Sequence, residues 1–322
     1  MVDRGAGESR EGVALTNLDQ PLFDGAGAAK RDLVDYLDAV ADCILPALVD
    51  RPLSVIRVHR GQEAFMQKNV PGYTPEWVPT VRLWAESSQR EVAYALCNDR
   101  RTLLWFANQR AVEYHPTLVT AARPDHPTHL VLDLDPPAGG EAGFRKAAHA
   151  ARLVRQVLAG AGLDGAVKTS GAKGVHVIVP LDGGVPLEEA AAATRAVAAR
   201  AEALDPGAVT TEFLKDQRKG RVFADATRVG GATVVAVYSP RVRPGVPVSF
   251  PVAWDDLDDV APADFTIRTA PVLLGGRDAW AALPPPQRLP GDLVEEGRAI
   301  APGRVSAMHE GKRRARSRRA EE

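Results

Sequence analysis

The stretch LVLDLDPP at 130–137 constrains this chain most. Its apolar residues make a strand, and two prolines stop it, because proline has no N–H to give a sheet ladder. Residues two apart on a strand point to the same side, with Cα atoms roughly 7 Å apart. Asp133 and Asp135 therefore share one face at the strand's end. Two carboxylates so placed repel each other, and burial sharpens the conflict. A divalent cation between them resolves it, and oxygen-only ligands favour Mg²⁺ or Mn²⁺ over zinc. The pattern alone equally describes two solvated aspartates that open a turn.

The flanking sequence alternates helical and strand patterns, which predicts an α/β or α+β fold. A helix is expected over 141–159, with Phe144, Ala148, Leu153, Val154 and Leu158 on its inner face and Gly160 and Gly162 at its end. Strands at 166–168 and 175–179 flank the turn SGAKG, and an alanine-rich helix covers 187–204. Strands at 221–225 and 232–238 are expected to pair through the turn RVGG. Upstream, an amphipathic pattern predicts a helix over 29–49, ended or kinked by Pro46. Strands follow at 53–58, 80–83 and 91–96, then a helix over 98–108 capped by Asn98. Residues 1–14 and 301–322 are expected to lack structure, the latter as a basic tail, and the length between them suits one large domain or two medium ones.

Only two cysteines occur, Cys43 and Cys97, far apart, which excludes a disulfide framework and argues against a structural zinc site. No run approaches the ~18 apolar residues of a membrane span. The polar, acid-bearing N-terminus is unlike a signal peptide, so a cytoplasmic, nucleoid-associated location is expected, with no membrane partner. The net charge of −1 conceals segregation. Lys215, Arg218, Lys219, Arg221, Arg228, Arg241 and Arg243 crowd one stretch against Asp216 and Asp225 alone. Such a field collects phosphates even on a neutral protein.

Three constellations carry chemistry. Asp225 ends another short apolar strand in RVFADATRV. Brought beside Asp133 and Asp135, it would complete a site for two ions roughly 3.5–4 Å apart, the clamp of in-line phosphoryl displacement; spacing alone also allows a turn aspartate. In VKTSGAKGVHVIVP, Ser170, Gly171 and Gly174 make a tight turn whose N–H groups could cradle phosphate, with Lys173 as counter-charge and without Walker A spacing. His176 lies inside the next strand, where a lone histidine is more often a core residue than a catalytic one. In KDQRKGRVF, Lys215 and Arg218 approach Asp225, and Arg241 follows VAVYSP; cations so placed can hold phosphate, although a solvated loop is the commoner outcome. His115 and the aromatics Phe65, Trp77, Trp84 and Trp105 say less alone, because base stacking needs exposure.

With LVLDLDPP, VKTSGAKGVHVIVPL and KDQRKGRVFADATRV followed by VAVYSPR in this order, the chain resembles the polymerase domain of bacterial ATP-dependent DNA ligase D. That family lies in the archaeo-eukaryotic primase superfamily, and the resemblance runs from NLDQPLF at residue 17 to FTIRTAPVLL at residue 274. It implies one catalytic domain at 15–300, with a primase-like, metal-binding core of mixed and antiparallel sheets at about 126–285 and an N-terminal accessory α/β module at about 15–125. It implies metal binding by Asp133, Asp135 and Asp225, and nucleotide binding by His115, Ser170, Lys173, His176, Lys215, Arg218 and Arg241. Lys30 matches a lysine that holds a DNA 5′-phosphate, and Phe65 and Lys68 match template-contacting positions. The implied reaction is template-directed nucleotidyl transfer to a primer 3′-hydroxyl with two Mn²⁺ or Mg²⁺ ions. Its substrates are NTPs or dNTPs, including ribonucleotides, at gapped or broken DNA in non-homologous end joining. A homodimeric Ku protein and a separate DNA ligase are the implied partners, since no ligase or nuclease motif appears.

The chain departs from the family at Gln20, where a second 5′-phosphate lysine often stands, at Met66 in an aromatic pair, and at Ala226 and Val229. Two other classes remain to be weighed. A haloacid-dehalogenase-type phosphohydrolase also uses a strand-end DxD, but Pro136 and Pro137 follow here and no late acidic pair does. A non-catalytic nucleic-acid-binding module explains the basic stretches but not three strand-end carboxylates.

Overall fold

The computed structural model describes residues 8–59, 61–85, 90–229, 232–275 and 279–302. The chain opens with a hairpin, β1 (Ser9–Arg10) and β2 (Val13–Ala14), where no structure was expected. Two contacts hold it. Val13 and Leu15 are buried in the core, and Arg10 pairs with Asp35 and Asp38 of the following helix. Residues 1–7 and 303–322, which carry the rest of the expected disorder and the basic tail, lie outside the described residues.

The predicted 29–49 helix is broken into α1 (Lys30–Ala39), α2 (Ala41–Ile44) and a 3₁₀ turn at Leu45–Ala47 that carries Pro46. β3 (Pro52–Arg57), β4 (Phe65–Gln67), β5 (Thr80–Ala85), β6 (Arg90–Leu96) and, after α3 (Arg100–Asn108), β7 (Ala111–Pro116) form the first sheet. β3 is its centre, antiparallel to β4, β6 and β7. Asp99 rather than Asn98 caps α3, accepting from the Thr102 amide at 2.7 Å, while the Asn98 side chain bonds Asp50 instead. β8 (Val119–Thr120) and β9 (Arg123–Pro127) make a small ribbon that leads into the second sheet.

The second sheet is built from β10 (His129–Asp135), β11 (Ala166–Thr169), β12 (Val175–Pro180), β13 (Val209–Thr210), β14 (Val222–Asp225) and β15 (Pro251–Val252). Its strand order is β13-β14-β10-β12-β11-β15, antiparallel except for the parallel β13–β14 pair. α4 (Gly140–Gly160) and α5 (Leu187–Leu204) cover one face. Leu130, Leu132 and Leu134 pack there with Phe144, Ala148, Val154 and Val197, the alternation that the sequence predicts. α6 (Ala270–Leu274) and α7 (Gly291–Ala299) complete the chain.

The expected hairpin through RVGG does not form, and Gly230 and Gly231 of that turn lie outside the described residues. β14 has β10 on one edge and β13 on the other, so no ladder is left for 232–238. That segment lies along β7 instead, where the Ala236 amide donates to the Tyr114 carbonyl at 2.9 Å. Buried residues of 236–250 and 265–274 accordingly share the first core with Leu33, Leu37, Leu103 and Tyr114, while Leu257 between them packs in the second, so the two cores do not divide at one point of the chain.

Candidate active site

Sheet register assembles the site. Asp133 of β10 stands opposite Asp225 of β14 on one side and His176 of β12 on the other, and His176 stands opposite Lys168 of β11. Asp225, Asp133, His176 and Lys168 thus form one row across the sheet, all four buried. Asp135, two residues on, is half-buried at the rim. The carboxylate that spacing could not place is therefore directly across from the first member of the DxD pair.

The row is hydrogen-bonded throughout. Ser249 Oγ donates to the Thr169 carbonyl at 2.8 Å and accepts from Lys168 Nζ at 2.5 Å. Lys168 Nζ also donates to His176 Nδ1 at 3.0 Å, which leaves His176 Nε2–H facing Asp133 Oδ1 at 3.2 Å. Burial, and then the nearby Lys168, push His176 down to about 4, so near neutral pH it is an uncharged donor. Burial likewise pushes Lys168 far below the usual lysine range, with Arg241 adding to it.

The three carboxylates differ in environment. Burial opposes ionisation of Asp133, but His176 and then Arg228 outweigh it and hold the carboxyl well below the usual range. Arg228 donates to Asp133 Oδ2 through Nε at 3.1 Å and Nη2 at 2.7 Å, and Nη2 lies 3.3 Å from Asp225 Oδ2. Asp225 Oδ1 is taken by the amide and hydroxyl of Thr227. Asp135 is pushed upward, first by burial and then by Asp133. Lys173 gives little relief, since its ammonium bonds the Pro136 carbonyl at 2.7 Å and stands 3.8 Å from Asp135.

Among the described residues no three His, Cys, Asp or Glu side chains close on a finished ligand set. The Arg228 guanidinium stands between Asp133 and Asp225, which shows that this spot already takes a positive charge. An oxygen-only donor set with excess negative charge fits Mg²⁺ or Mn²⁺.

The turn at 170–174 is tighter than its glycines require. A Cβ on Gly171 would lie 2.7 Å from Arg241 Cγ and 2.8 Å from the Ser249 amide, at a φ of +67°, and one on Gly174 would lie 2.3 Å from the Leu134 carbonyl oxygen. The amides of Ala172 and Gly174, expected to face a phosphate, donate to Ser170 Oγ at 3.2 and 3.1 Å. The hydroxyl thus fills the cradle as an anion would.

His115 and Arg241 meet on a residue that sequence reasoning missed, the buried Glu113. Its carboxylate bonds His115 Nε2 at 2.8 Å and the Val242 amide at 2.8 Å, and Arg241 Nε lies 3.0 Å away. Burial raises its pKa, but His115 and Arg241 dominate and bring it to about 2. Arg241 also reaches the Ser170 carbonyl at 2.5 Å, tying this group to the turn. Arg228, Lys168 and Glu113 each left a trace in the sequence: a charged residue three after Asp225, one inside an apolar strand, and one two before His115 on the same strand face.

Arg218 lies close enough to Asp135 and Asp225 for their charges to interact. Arg218 belongs to the 3₁₀ turn Lys215–Arg218, with its guanidinium 3.8 Å from the Phe223 ring centroid, while Lys215 is exposed. Phe65, Met66 and Lys68 are exposed on and beside β4, with Phe65 stacked on His59. Lys30 is buried and donates to the Thr16 carbonyl and Asn108 Oδ1 at 2.5 and 2.7 Å. It lines a cavity of about 170 Å³ with Gln20, Arg57, His59 and Arg110, and among the described residues no acid shares the lining. Burial, and then Arg110, lower its pKa to about 8.

Residues 29–280 match the family model described as LigD, primase-polymerase domain. The chain belongs to that family. It is 35% identical over 264 residues to the multifunctional non-homologous end joining DNA repair protein LigD of Mycobacterium tuberculosis, which covers 79% of the chain but 34% of that protein. It is 32% identical over 262 residues to the bifunctional non-homologous end joining protein LigD of Bacillus subtilis, covering 80% of the chain and 41% of the relative. The chain thus spans about a third to two-fifths of these relatives' length. The polymerase domain of M. tuberculosis ligase D in complex with DNA superposes with a TM-score of 0.75 at 31% identity, covering 84% of this chain and 99% of that one. The mixed α/β fold with antiparallel sheets is the archaeo-eukaryotic primase-like fold of that domain. The chain is a nucleotidyltransferase of the LigD primase-polymerase type, in a family generally dependent on divalent metal. The phosphohydrolase and non-catalytic readings are not favoured. Among the described residues no helix is long and apolar enough to cross a membrane.

Proposed function

We propose that this chain adds nucleotides, ribonucleotides included, to a primer 3′-hydroxyl under template direction at gapped or broken DNA, as part of non-homologous end joining. The observation that carries this reading is the register of β10 and β14, which sets Asp225 opposite Asp133 with Asp135 alongside. These three carboxylates would hold Mn²⁺ or Mg²⁺. Bound there, the divalent ions supply Lewis acidity at the primer hydroxyl and neutralise the departing pyrophosphate.

The protein's own share is positioning and charge. His176, fixed by Lys168 and Ser249, orients Asp133 through one hydrogen bond. Ser170, Lys173, Lys215, Arg218 and Arg241 present donors to the triphosphate of the NTP or dNTP, and His115, held by Glu113, faces the sugar. Triphosphate oxygens would take the Ala172 and Gly174 amides that Ser170 now occupies. Phe65 and Lys68 would contact the template. Lys30, in its acid-free cavity, would receive a downstream 5′-phosphate, with Arg57 and Arg110 there beside Gln20. The setting would be chromosomal DNA in the cytoplasm, with a Ku homodimer and a separate ligase as partners.

Primer extension on a gapped duplex with Mn²⁺ or Mg²⁺ and nucleotides tests this, with Asp133→Ala as the comparison. Absent extension by the wild type, or equal extension by the variant, overturns it.

A further inference from the structure

Lys168 also lines a half-open cavity of about 310 Å³, with walls from Leu118, Val131, Ile178 and Trp280. That volume is at the lower end for small-ligand sites, which are apolar with a few fixed polar groups. Val131 is two residues before Asp133 on the same face of β10, so the cavity adjoins the catalytic row about 7 Å along the strand.

Besides Thr117 and Lys168 of the row, two polar side chains line this apolar space, Arg51 and His129, and among the described residues no acid joins them. Arg51, just before β3, is 9% exposed. Among the described residues its guanidinium makes one hydrogen bond, a long contact of 3.4 Å from Nη1 to the Thr117 carbonyl, and no carboxylate pairs with it. Burial alone brings it down to about 10. Taking a guanidinium out of water costs free energy that a counter-ion normally offsets. His129 stands beside it. The Thr128 hydroxyl donates to the Leu118 carbonyl at 3.1 Å, so His129 Nδ1–H donates to that hydroxyl at 2.8 Å and Nε2 is left as an acceptor. Burial, and then Arg51, push His129 to about 3, so it stays neutral and adds no second positive charge beside Arg51.

We propose that this cavity is a binding site for a small carboxylic acid with a flat apolar body, its carboxylate on Arg51 and its body against Leu118, Val131 and Ile178. A planar carboxylate matches the guanidinium fork. A DNA phosphodiester fits less well, because its sugar and flanking charges would have to enter between apolar walls.

The test uses the full chain and 2-naphthoate, followed by calorimetry without DNA, nucleotide or metal, and 2-naphthamide as the uncharged isostere. The acid should bind at least about tenfold tighter than the amide, which corresponds to 1.4 kcal/mol. Arg51→Met should abolish that preference and Arg51→Lys should retain part of it. Ala47→Trp, on the partly exposed turn at the cavity mouth, should block both compounds and guards against a fold lost in Arg51→Met. Equal affinity for acid and amide, or binding undiminished in Ala47→Trp, overturns the proposal. Displacement of 2-naphthoate by a short single-stranded oligonucleotide would also overturn it and assign Arg51 to the DNA backbone.

Discussion

The row across the second sheet and the strip at β4 of the first differ in exposure. Across β14, β10, β12 and β11, Asp225, Asp133, His176 and Lys168 are 5, 8, 4 and 1% exposed, and His176 links Asp133 to Lys168. On the first sheet, Phe65 and Met66 are 39 and 45% exposed, and Lys68 stands in solvent. Buried polar groups must be partnered, because each unpaired one costs about 1–3 kcal/mol or more if charged. The catalytic row is therefore held in one geometry, as the reading of it as a metal and nucleotide site requires. An exposed aromatic strip can instead adjust to any base, since every base has a stacking face.

The largest effect should come from breaking the row. Asp133→Ala removes one proposed metal ligand and leaves Arg228 and His176 without their acceptor, and primer extension should fall by about a thousandfold or more. A residual rate within tenfold of wild type would show that the row is structural.

Glu113 tests the row's neighbour through pH. Its carboxyl is depressed from 4.5 to about 2, so its stabilising contribution is fully present above about pH 4.5 and is lost as pH falls towards 2. Glu113→Gln should flatten the acid limb of stability by about 3 kcal/mol at most between those values, measured by urea unfolding at stepped pH. An unchanged acid limb would mean that His115 and Arg241 do not hold this carboxylate in solution.

The exposed sheet should respond less. Phe65→Ala should weaken binding of a single-stranded template by about 1–3 kcal/mol, without changing the rate of nucleotide addition at saturating template. A rate defect at saturation would place Phe65 in the catalytic geometry and erase the contrast between the sheets. Lys30→Met is expected to be the mildest: extension on an unphosphorylated gap unchanged, and the preference for a 5′-phosphorylated gap reduced about fivefold, a single charged contact worth about 1 kcal/mol. If wild type shows no such preference, Gln20 has already removed it.

What could be read in advance was local. The DxD pair follows from strand alternation and two prolines, and the 170–174 turn from its glycines. α4, β12 and α5 were legible for the same reason, since period and breakers act over a few residues. Misreadings arose where distant partners decided. The 232–238 segment has strand composition, but β14 offers it no free edge, so it pairs with β7. Ser9–Arg10 and Val13–Ala14 look like a polar terminus until Arg10 meets α1. Glu113 left only its place two before His115 as a trace, because Arg241 and Val242, which complete its partners, lie well over a hundred residues away in the chain.

By itself, then, the sequence determined that Asp133 and Asp135 end one strand on one face, because side-chain direction alternates within any strand. Only the tertiary structure decided that Asp225, His176 and Lys168 continue that row, that Arg228 closes over it, and that Arg51 lines the adjoining cavity with no acid beside it among the described residues. Those facts depend on strand register and loop packing, which are set by the burial of two whole cores rather than by any short run of residues.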